Sequence, residues 1–248
     1  MSLANPYPEP YVSAHKRAQI VVALFLAGIT LDLIVIFSDF IKVVMLSNMS
    51  GDSTLTENQV FGIEVQEAIT GILKLVVYIL SAIFFLMWLH RAYKNLRALG
   101  APRTEHTPGF AVGSFFIPII SLFIPYRVVK EAWIKSEPQA GEPGTVYGNS
   151  SGGTSLIGWW WGVWLVANFL GQVSLRASEP GVSYDAQFFN LKLELAANAF
   201  SLAAAVLAIL VVKGIDARQT VRSRLYNSSE LPPPPPIFNS QPAQTNER

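Results

Sequence analysis

Four long, mostly apolar segments constrain the fold of this chain more than any other feature of its sequence. A helix that crosses a membrane needs about 20 apolar residues, because the hydrocarbon layer is about 30 Å thick and each helical residue rises about 1.5 Å. Four stretches reach this length: residues 20–46, 68–89, 155–175 and 195–212. The sequence therefore predicts an all-α membrane protein built as a bundle of four transmembrane helices.

Composition narrows the functional classes that such a chain can serve. Hydrophobic residues make up 51% of the chain and charged residues 14%, which is more apolar than a typical soluble domain. The net charge is +1 and there is no basic face, so nothing favours binding to nucleic acid by counterion release. The chain has no cysteine and lacks the HExxH, GxSxG and P-loop signatures. We therefore expect a protein that is not an enzyme and that carries no metal or other cofactor.

The distribution of positive charge predicts how the four segments are oriented. Lysine and arginine accumulate in short cytoplasmic loops. With four spans, fourteen of these residues fall in the inner segments, and only Arg176 and Lys192 fall in the outer loops. If residues 110–126 formed a fifth span, eight would lie on each side and the bias would vanish. We therefore predict four spans with both termini in the cytoplasm.

Residues 109–135 are predicted to lie at the cytoplasmic face of the membrane. This segment contains Pro118 and Pro125, and a proline inside a helix removes a backbone hydrogen bond. The segment is either interfacial, lying in the headgroup region, or a re-entrant hairpin whose broken backbone is satisfied by protein or water. We favour the interfacial placement.

The rest of the chain divides by composition. The membrane domain is predicted to cover residues 20–225, with a flexible linker at 136–154 that is rich in glycine and proline. Residues 1–19 and the proline-rich tail at 226–248 are predicted to be disordered.

A spaced pattern of residues runs from the end of the second span through the cytoplasmic segment. Its members are Trp88, Arg91, Ala92, Asn95, Leu96, Gly100, Pro108, Gly109, Pro118, Pro125, Tyr126 and Trp133. By this pattern the chain resembles the bacterial membrane-protein family named domain of unknown function 4328. The resemblance implies a multi-span protein of the bacterial inner membrane without an assigned reaction, so it adds architecture and location but no chemistry.

Part of this pattern is a candidate surface for contact with membrane lipids or with a protein partner. Helical spacing puts Trp88, Arg91 and Asn95 on one face, with the arginine in reach of the anionic membrane surface. The pattern is either an anchor that packs against residues 110–126 or a binding site for a lipid headgroup or a partner. The candidate contact residues are Trp88, Arg91, Asn95, Pro118, Pro125, Tyr126 and Trp133.

Polar side chains inside the predicted spans form a second set of candidates. Ionisable groups in the bilayer are costly, so they indicate function or internal pairing. Asp32, Asp39 and Lys74 lie within the first two spans, and we expect Lys74 to be neutralised by one of the two aspartates. Gln172 and Asn198 lie at similar depth in the third and fourth spans. A hydrogen bond between these two amides is predicted.

Small residues predict how the third and fourth spans pack. Gly158 and Gly162 are four residues apart, a spacing that lets a neighbouring helix approach closely. Ala197, Ser201 and Ala205 form a matching stripe on the fourth span. We therefore expect these two faces to pack against each other.

Two functions fit these features. The first is a non-enzymatic scaffold or regulatory membrane protein that contacts lipid headgroups or a protein partner through its cytoplasmic segment. The alternative is a small-solute or ion transporter or channel that uses the buried Asp32, Asp39 and Lys74. A transporter of this kind is expected to be a homo-oligomer, because four helices leave little room for a central path.

Overall fold

The computed structural model describes residues 10–48, 57–101, 104–138, 153–177 and 184–229. Within these ranges the chain forms six helices and no strand, which confirms the predicted all-α fold. In chain order the helices are α1 (His15–Asn48), α2 (Glu57–Ala98), α3 (Pro108–Gly113), α4 (Ile120–Lys135), α5 (Thr154–Ala177) and α6 (Tyr184–Ser229).

Three of the described helices are long and apolar enough to cross a membrane. The segments that meet this condition are His15–Val44 in α1, Phe61–Ala98 in α2 and Phe189–Leu225 in α6. Helix α5 is long enough at 24 residues, but its four tryptophans and its Asn168 and Gln172 lower its mean hydropathy. The four-span count therefore stays a prediction.

The long helices pack in a defined order. Helix α1 lies between α2 and α6, and α5 packs against α6. The short α3 packs on α2, while α4 contacts α2, α5 and α6. All six helices thus meet at one end of the bundle. We call this end the packed lobe; it comprises the described parts of residues 10–21, 85–138, 153–161 and 208–222.

Side chains in the packed lobe form the hydrophobic core of the molecule. Its largest fully buried apolar members are Trp88, Tyr93, Leu89, Leu96, Leu99, Ile157, Ile215, Val21, Val128, Val129 and Val211. Away from the lobe, α1 and α2 expose large apolar side chains such as Phe37 and Ile72. Exposed apolar surface on helices of this length is expected where the helix faces lipid rather than water.

Two predicted boundaries need correction. Helix α1 begins at His15, so residues 15–19 are helical rather than disordered, and α6 continues to Ser229. The N-terminal correction has a structural cause, because the Val12 carbonyl accepts hydrogen bonds from α2. Of the predicted disordered or flexible stretches, residues 1–9, 139–152 and 230–248 lie outside the described residues.

Helix α2 ends in a glycine-dependent cap. Gly100 adopts a φ of 67°, a conformation that costs glycine little. Its N–H donates to the Arg97 carbonyl at 3.1 Å, and the Ala101 N–H donates to the Leu96 carbonyl at 3.0 Å. This is the Schellman arrangement, which satisfies carbonyl groups that the helix end leaves free.

The stretch at residues 110–126 is divided between two helices. Thr107 caps α3 by accepting the Phe110 N–H at 3.2 Å, and α3 ends at Gly113. The chain then turns through Ile119, whose φ of 67° is rare for a β-branched residue. Because α3 has six residues, it is about 9 Å long and cannot cross a bilayer.

Candidate functional site

Most of the sequence-predicted contact residues lie inside the packed lobe. Trp88 is fully buried, Asn95 is 1% exposed and Trp133 is 6% exposed, and Pro125 is also buried within α4. The predicted contact with a lipid or a partner therefore does not fall on these four side chains. Contacts with α6 account for part of this burial, because Gln219 hydrogen-bonds to Asn95 and Arg218 packs on Trp133.

Asn95 and Arg91 connect α2 to the N-terminal segment. Asn95 Nδ2 donates to the Val12 carbonyl at 2.9 Å and to Gln219 Oε1 at 3.3 Å. Arg91 Nε donates to the same Val12 carbonyl at 3.2 Å. Gln219 Nε2 in turn donates to Ser136 Oγ at 3.0 Å. This buried network joins the start of α1, the end of α2, the end of α4 and α6.

Trp133 fixes the position of α4 against its neighbours. A Cβ atom added at Gly214 would lie 2.6 Å from Trp133 Cη2, and one at Gly153 would lie 2.5 Å from its Nε1. The guanidinium carbon of Arg218 is 3.7 Å from the indole centroid, which is cation–π geometry. The indole is therefore enclosed by two glycine backbones and a cation.

A buried carboxylate organises the loop before α3. Glu131 accepts hydrogen bonds from Tyr93 Oη, from Lys135 Nζ at 2.5 Å and from the Glu105 N–H at 2.8 Å. Burial alone would raise the pKa of Glu131, but these three donors favour the anion and bring its pKa below the usual value. This group was not predicted from the sequence, although the i,i+4 spacing of Glu131 and Lys135 indicates a helix ion pair.

The turn between α3 and α4 carries an exposed apolar surface. Ile119 is 75% exposed, Phe116 is 72% exposed and Phe123 is 62% exposed. Pro118, another predicted contact residue, is exposed in the same turn. We call the exposed residues at 116–119, 122 and 123 the apolar tip. Contiguous exposed apolar surface indicates contact with a membrane or a protein.

The remaining predicted contact residue lies just behind the tip. Tyr126 is partly buried, and Lys130 Nζ is 5.6 Å from the centroid of its ring. Of the seven predicted contact residues, Pro118 alone belongs to the apolar tip. The sequence placed residues 109–135 at the interface but did not single out the tip, because a run of apolar residues does not show which of them face inward.

A polar cluster lies between α1, α2 and α6, away from the lobe. Lys74 Nζ is 2.8 Å from Asp32 Oδ1 and donates to Asn198 Oδ1 at 2.6 Å. Ser201 Oγ donates to Asp32 Oδ2 at 3.0 Å. Asp32 is 4% exposed. We call these four residues the midspan cluster. The structure thus brings together Lys74 and Asp32, one of the two partners that the sequence allowed.

The other predicted polar residues are placed differently. Asp39 is 1% exposed and pairs with Lys42 at 3.1 Å, and Lys42 Nζ also lies 2.6 Å from Glu67 Oε1. Gln172 is exposed on α5. The predicted hydrogen bond between Gln172 and Asn198 is absent from the described residues, because the Asn198 carbonyl oxygen accepts from the charged Lys74 instead.

The predicted glycine contact between α5 and α6 is wrong. A Cβ atom built at Gly158 or Gly162 would meet no atom within 4 Å. The two helices do pack together, but through other residues of α5. As for metals, the described residues contain no group of three or more His, Asp, Glu or Cys side chains that could hold an ion.

Together these features define a class of protein: an all-α chain with several helices of transmembrane length, ionisable groups between them, and a packed lobe at one end. The family model described as "Domain of unknown function (DUF4328)" matches residues 52–217. The match covers more than half of the chain, so the chain belongs to this family, and the resemblance found in the sequence is confirmed. Searches of curated proteins and of solved structures found no match.

Proposed function

We propose that this chain is a non-enzymatic scaffold or regulatory protein of the bacterial inner membrane, which contacts lipid headgroups or a protein partner through its packed lobe. One observation carries the proposal. The apolar tip stands exposed on a lobe whose interior is closed by buried hydrogen bonds and tightly packed aromatic rings. A rigid lobe that presents an apolar surface is better suited to binding than to catalysis.

The contacts in the packed lobe support four spans with both termini on the cytoplasmic side. Val12 contacts the last turns of α2, and His15 Nδ1 lies 2.6 Å from Asp216 Oδ2 in the C-terminal half of α6. The start of α1 and the part of α6 around Asp216 therefore lie at the same end of the bundle as α3 and α4, which supports a common side for both termini. Because α6 starts at the opposite end of the bundle, we propose that α5 carries the chain across the membrane. Its 24 residues span about 36 Å, enough to cross the hydrocarbon layer.

The apolar tip is the part of residues 109–135 that we propose to enter the membrane interface. A six-residue α3 and a broken turn are compatible with a segment that dips into the headgroup region. The cytoplasmic assignment rests on the excess of lysine and arginine on this side of the four spans.

Photo-crosslinking in intact membranes tests the proposal. We would replace Ile119 with benzoyl-phenylalanine and use Leu175 as a matched control, because each side chain is 75% exposed and the two lie at opposite ends of the bundle. We expect the probe at position 119 to form adducts of defined mass with phospholipid, or with a protein that the probe at position 175 does not capture. The absence of any adduct at Ile119, with Leu175 reactive, would overturn it.

The midspan cluster favours a second candidate function, transport of a small solute or an ion. Asp32 and Lys74 are ionisable groups on helices of transmembrane length, and the Asp39–Lys42–Glu67 group continues the row of charges toward the far end of the bundle. Buried charges of this kind mark ion and proton pathways in many membrane proteins.

Flux measurements in proteoliposomes separate the two functions. A transporter would move protons or a small cation across the vesicle membrane, and Asp32→Asn would abolish that flux. A scaffold would show no flux above protein-free vesicles. Lys16→Gln is a suitable control, because Lys16 is exposed at the start of α1 and is remote from the midspan cluster.

A further inference from the structure

A groove opens on the side of the packed lobe, between α1, α2 and α3. Its volume is about 480 Å³, within the range of about 300–1,000 Å³ typical of ligand sites. The residues that line it are Arg17, Ile83, Leu86, Met87, His90, Val112 and Phe116. Five of these seven side chains are apolar, and the two polar ones are Arg17 and His90; we call the part of the groove beside these two residues its mouth.

Positive charge is concentrated at the mouth of the groove. The charged groups that act electrostatically on His90 are Lys94, Arg17 and Arg91, all of them cations. In the described part of the chain, Arg17 and Arg91 each donate one hydrogen bond, to the carbonyls of Met87 and Val12, and form no ion pair with a carboxylate. A guanidinium has five N–H donors. Both arginines therefore keep donors that suit phosphate oxygens.

The order of residues along α2 matches the chemistry of one kind of ligand. The groove wall is apolar from Ile83 to Met87 and becomes polar at His90. This change occurs over about 10 Å of helix. A phospholipid has the same arrangement, with an acyl chain joined to a charged phosphate. Basic pockets between transmembrane helices bind the headgroups of anionic lipids.

From this geometry we propose that the groove binds one anionic phospholipid. An acyl chain lies along Ile83, Leu86, Val112 and Phe116, and the phosphate faces Arg17 at the mouth. The inference rests on the proposed function, because it assumes that the packed lobe lies at the membrane surface. It goes further in naming the ligand class and the site. Phe116 also belongs to the apolar tip, so the bound lipid would connect the tip to α2.

Lipid retention by the purified full-length protein tests this site. The protein would be placed in mixed micelles containing dioleoylphosphatidylglycerol or dioleoylphosphatidylcholine, and bound lipid would be counted by native mass spectrometry. We expect retention of phosphatidylglycerol over phosphatidylcholine. Arg17→Gln should weaken phosphatidylglycerol binding about fivefold, the usual effect of one basic residue near an anionic membrane. Lys16→Gln removes the same charge from the neighbouring exposed position and should change binding less than Arg17→Gln does, because Lys16 does not line the groove.

A second pair of variants tests the apolar part of the groove. Ile83→Trp places a larger side chain in the groove and should reduce retention of phosphatidylglycerol. Ile79→Trp makes the same change one turn away, at a residue that is exposed but does not line the groove, and should leave retention unchanged.

The inference is overturned if the two lipids are retained equally, or if Arg17→Gln and Lys16→Gln behave alike. Its failure is distinguishable from failure of the proposed function. A lobe that still crosslinks a partner through Ile119, without any preference for phosphatidylglycerol, would refute the lipid site alone.

Discussion

Replacement of Lys74 by methionine perturbs the midspan cluster in the most informative way. The ammonium group contacts Asp32 at 2.8 Å and Asn198 at 2.6 Å. Asp32 is 4% exposed, and after the change Ser201 would be its remaining side-chain donor among the described residues. An aspartate left without its cation is an uncompensated buried charge, and we therefore expect Lys74→Met to lower the free energy of unfolding.

The structure sets the size of this effect. Removal of one partner of a buried ion pair costs about 3–5 kcal/mol. Because the side chain of Lys74 is 30% exposed, we expect the lower end, about 3 kcal/mol. Adding Asp32→Asn to Lys74→Met removes the stranded charge. The double variant should therefore regain about 2 kcal/mol of that loss, which would appear as coupling between the two sites.

Unfolding in mixed micelles of dodecylmaltoside and SDS measures these differences, with fluorescence of the buried tryptophans as the signal. The exposed control Lys16→Met should stay within about 0.5 kcal/mol of the unmodified protein. If Lys74→Met also stays within that limit, or if the effects of Asp32→Asn and Lys74→Met simply add, the ion pair does not stabilise the bundle and the reasoning is refuted.

Two further changes probe the packed lobe. Gly214→Ala should destabilise the protein by about 1–3 kcal/mol, because the added Cβ would clash with Trp133. The control Gly162→Ala should be neutral or stabilising in the same unfolding assay. Equal effects of the two changes would contradict the packing of Trp133 against Gly214. The pKa of Glu131 is lowered in the folded protein. Its contribution to stability is therefore present above pH 4.5, the usual pKa of the side chain, and is lost as the pH falls through the lower pKa of the folded state. Thermal unfolding between pH 7 and 3 should thus show less acid sensitivity for Glu131→Gln than for the unmodified protein, and identical profiles would count against this role.

Run length and hydropathy predicted the helical architecture well. Each predicted span lies inside an observed helix, since a long apolar run has no other stable form in a membrane. Gly100 could also be identified as a helix stop, because glycine alone tolerates its backbone conformation cheaply. The residues at which the helices begin and end were less predictable. The additional turn of α1 before residue 20 depends on contacts of Val12 with α2, which lie 83 residues apart in sequence.

The sequence predicted which polar residues lie within the long helices, but not how each helix is rotated about its axis. Asp32 and Asp39 are both on α1, and either was a possible partner for Lys74. Lys42, three residues after Asp39, pairs with that carboxylate locally, which leaves Asp32 for Lys74. Gln172 fails because its side chain faces outward and because the contact between Ser174 and Asn190 places it level with residues near 192 rather than with Asn198.

The family pattern identified important residues but not their role. Trp88, Asn95 and Trp133 suggested a surface because aromatic and amide side chains commonly occur at interfaces. Whether they are exposed depends on partners distant in sequence, such as Gln219 for Asn95 and Gly214 for Trp133. The groove around Arg17 could not be predicted either, since it combines residues from three helices.

The orientation of the chain is the central claim, and labelling of single cysteines tests it most directly. The chain has no native cysteine, so Ser13→Cys, Arg224→Cys and Phe189→Cys each provide one reactive thiol at an exposed position. In intact cells, a thiol reagent that does not cross the inner membrane should label Phe189→Cys alone, and the other two should react only after that membrane is permeabilised. Labelling of Ser13→Cys and Arg224→Cys from opposite sides of the membrane would contradict the account.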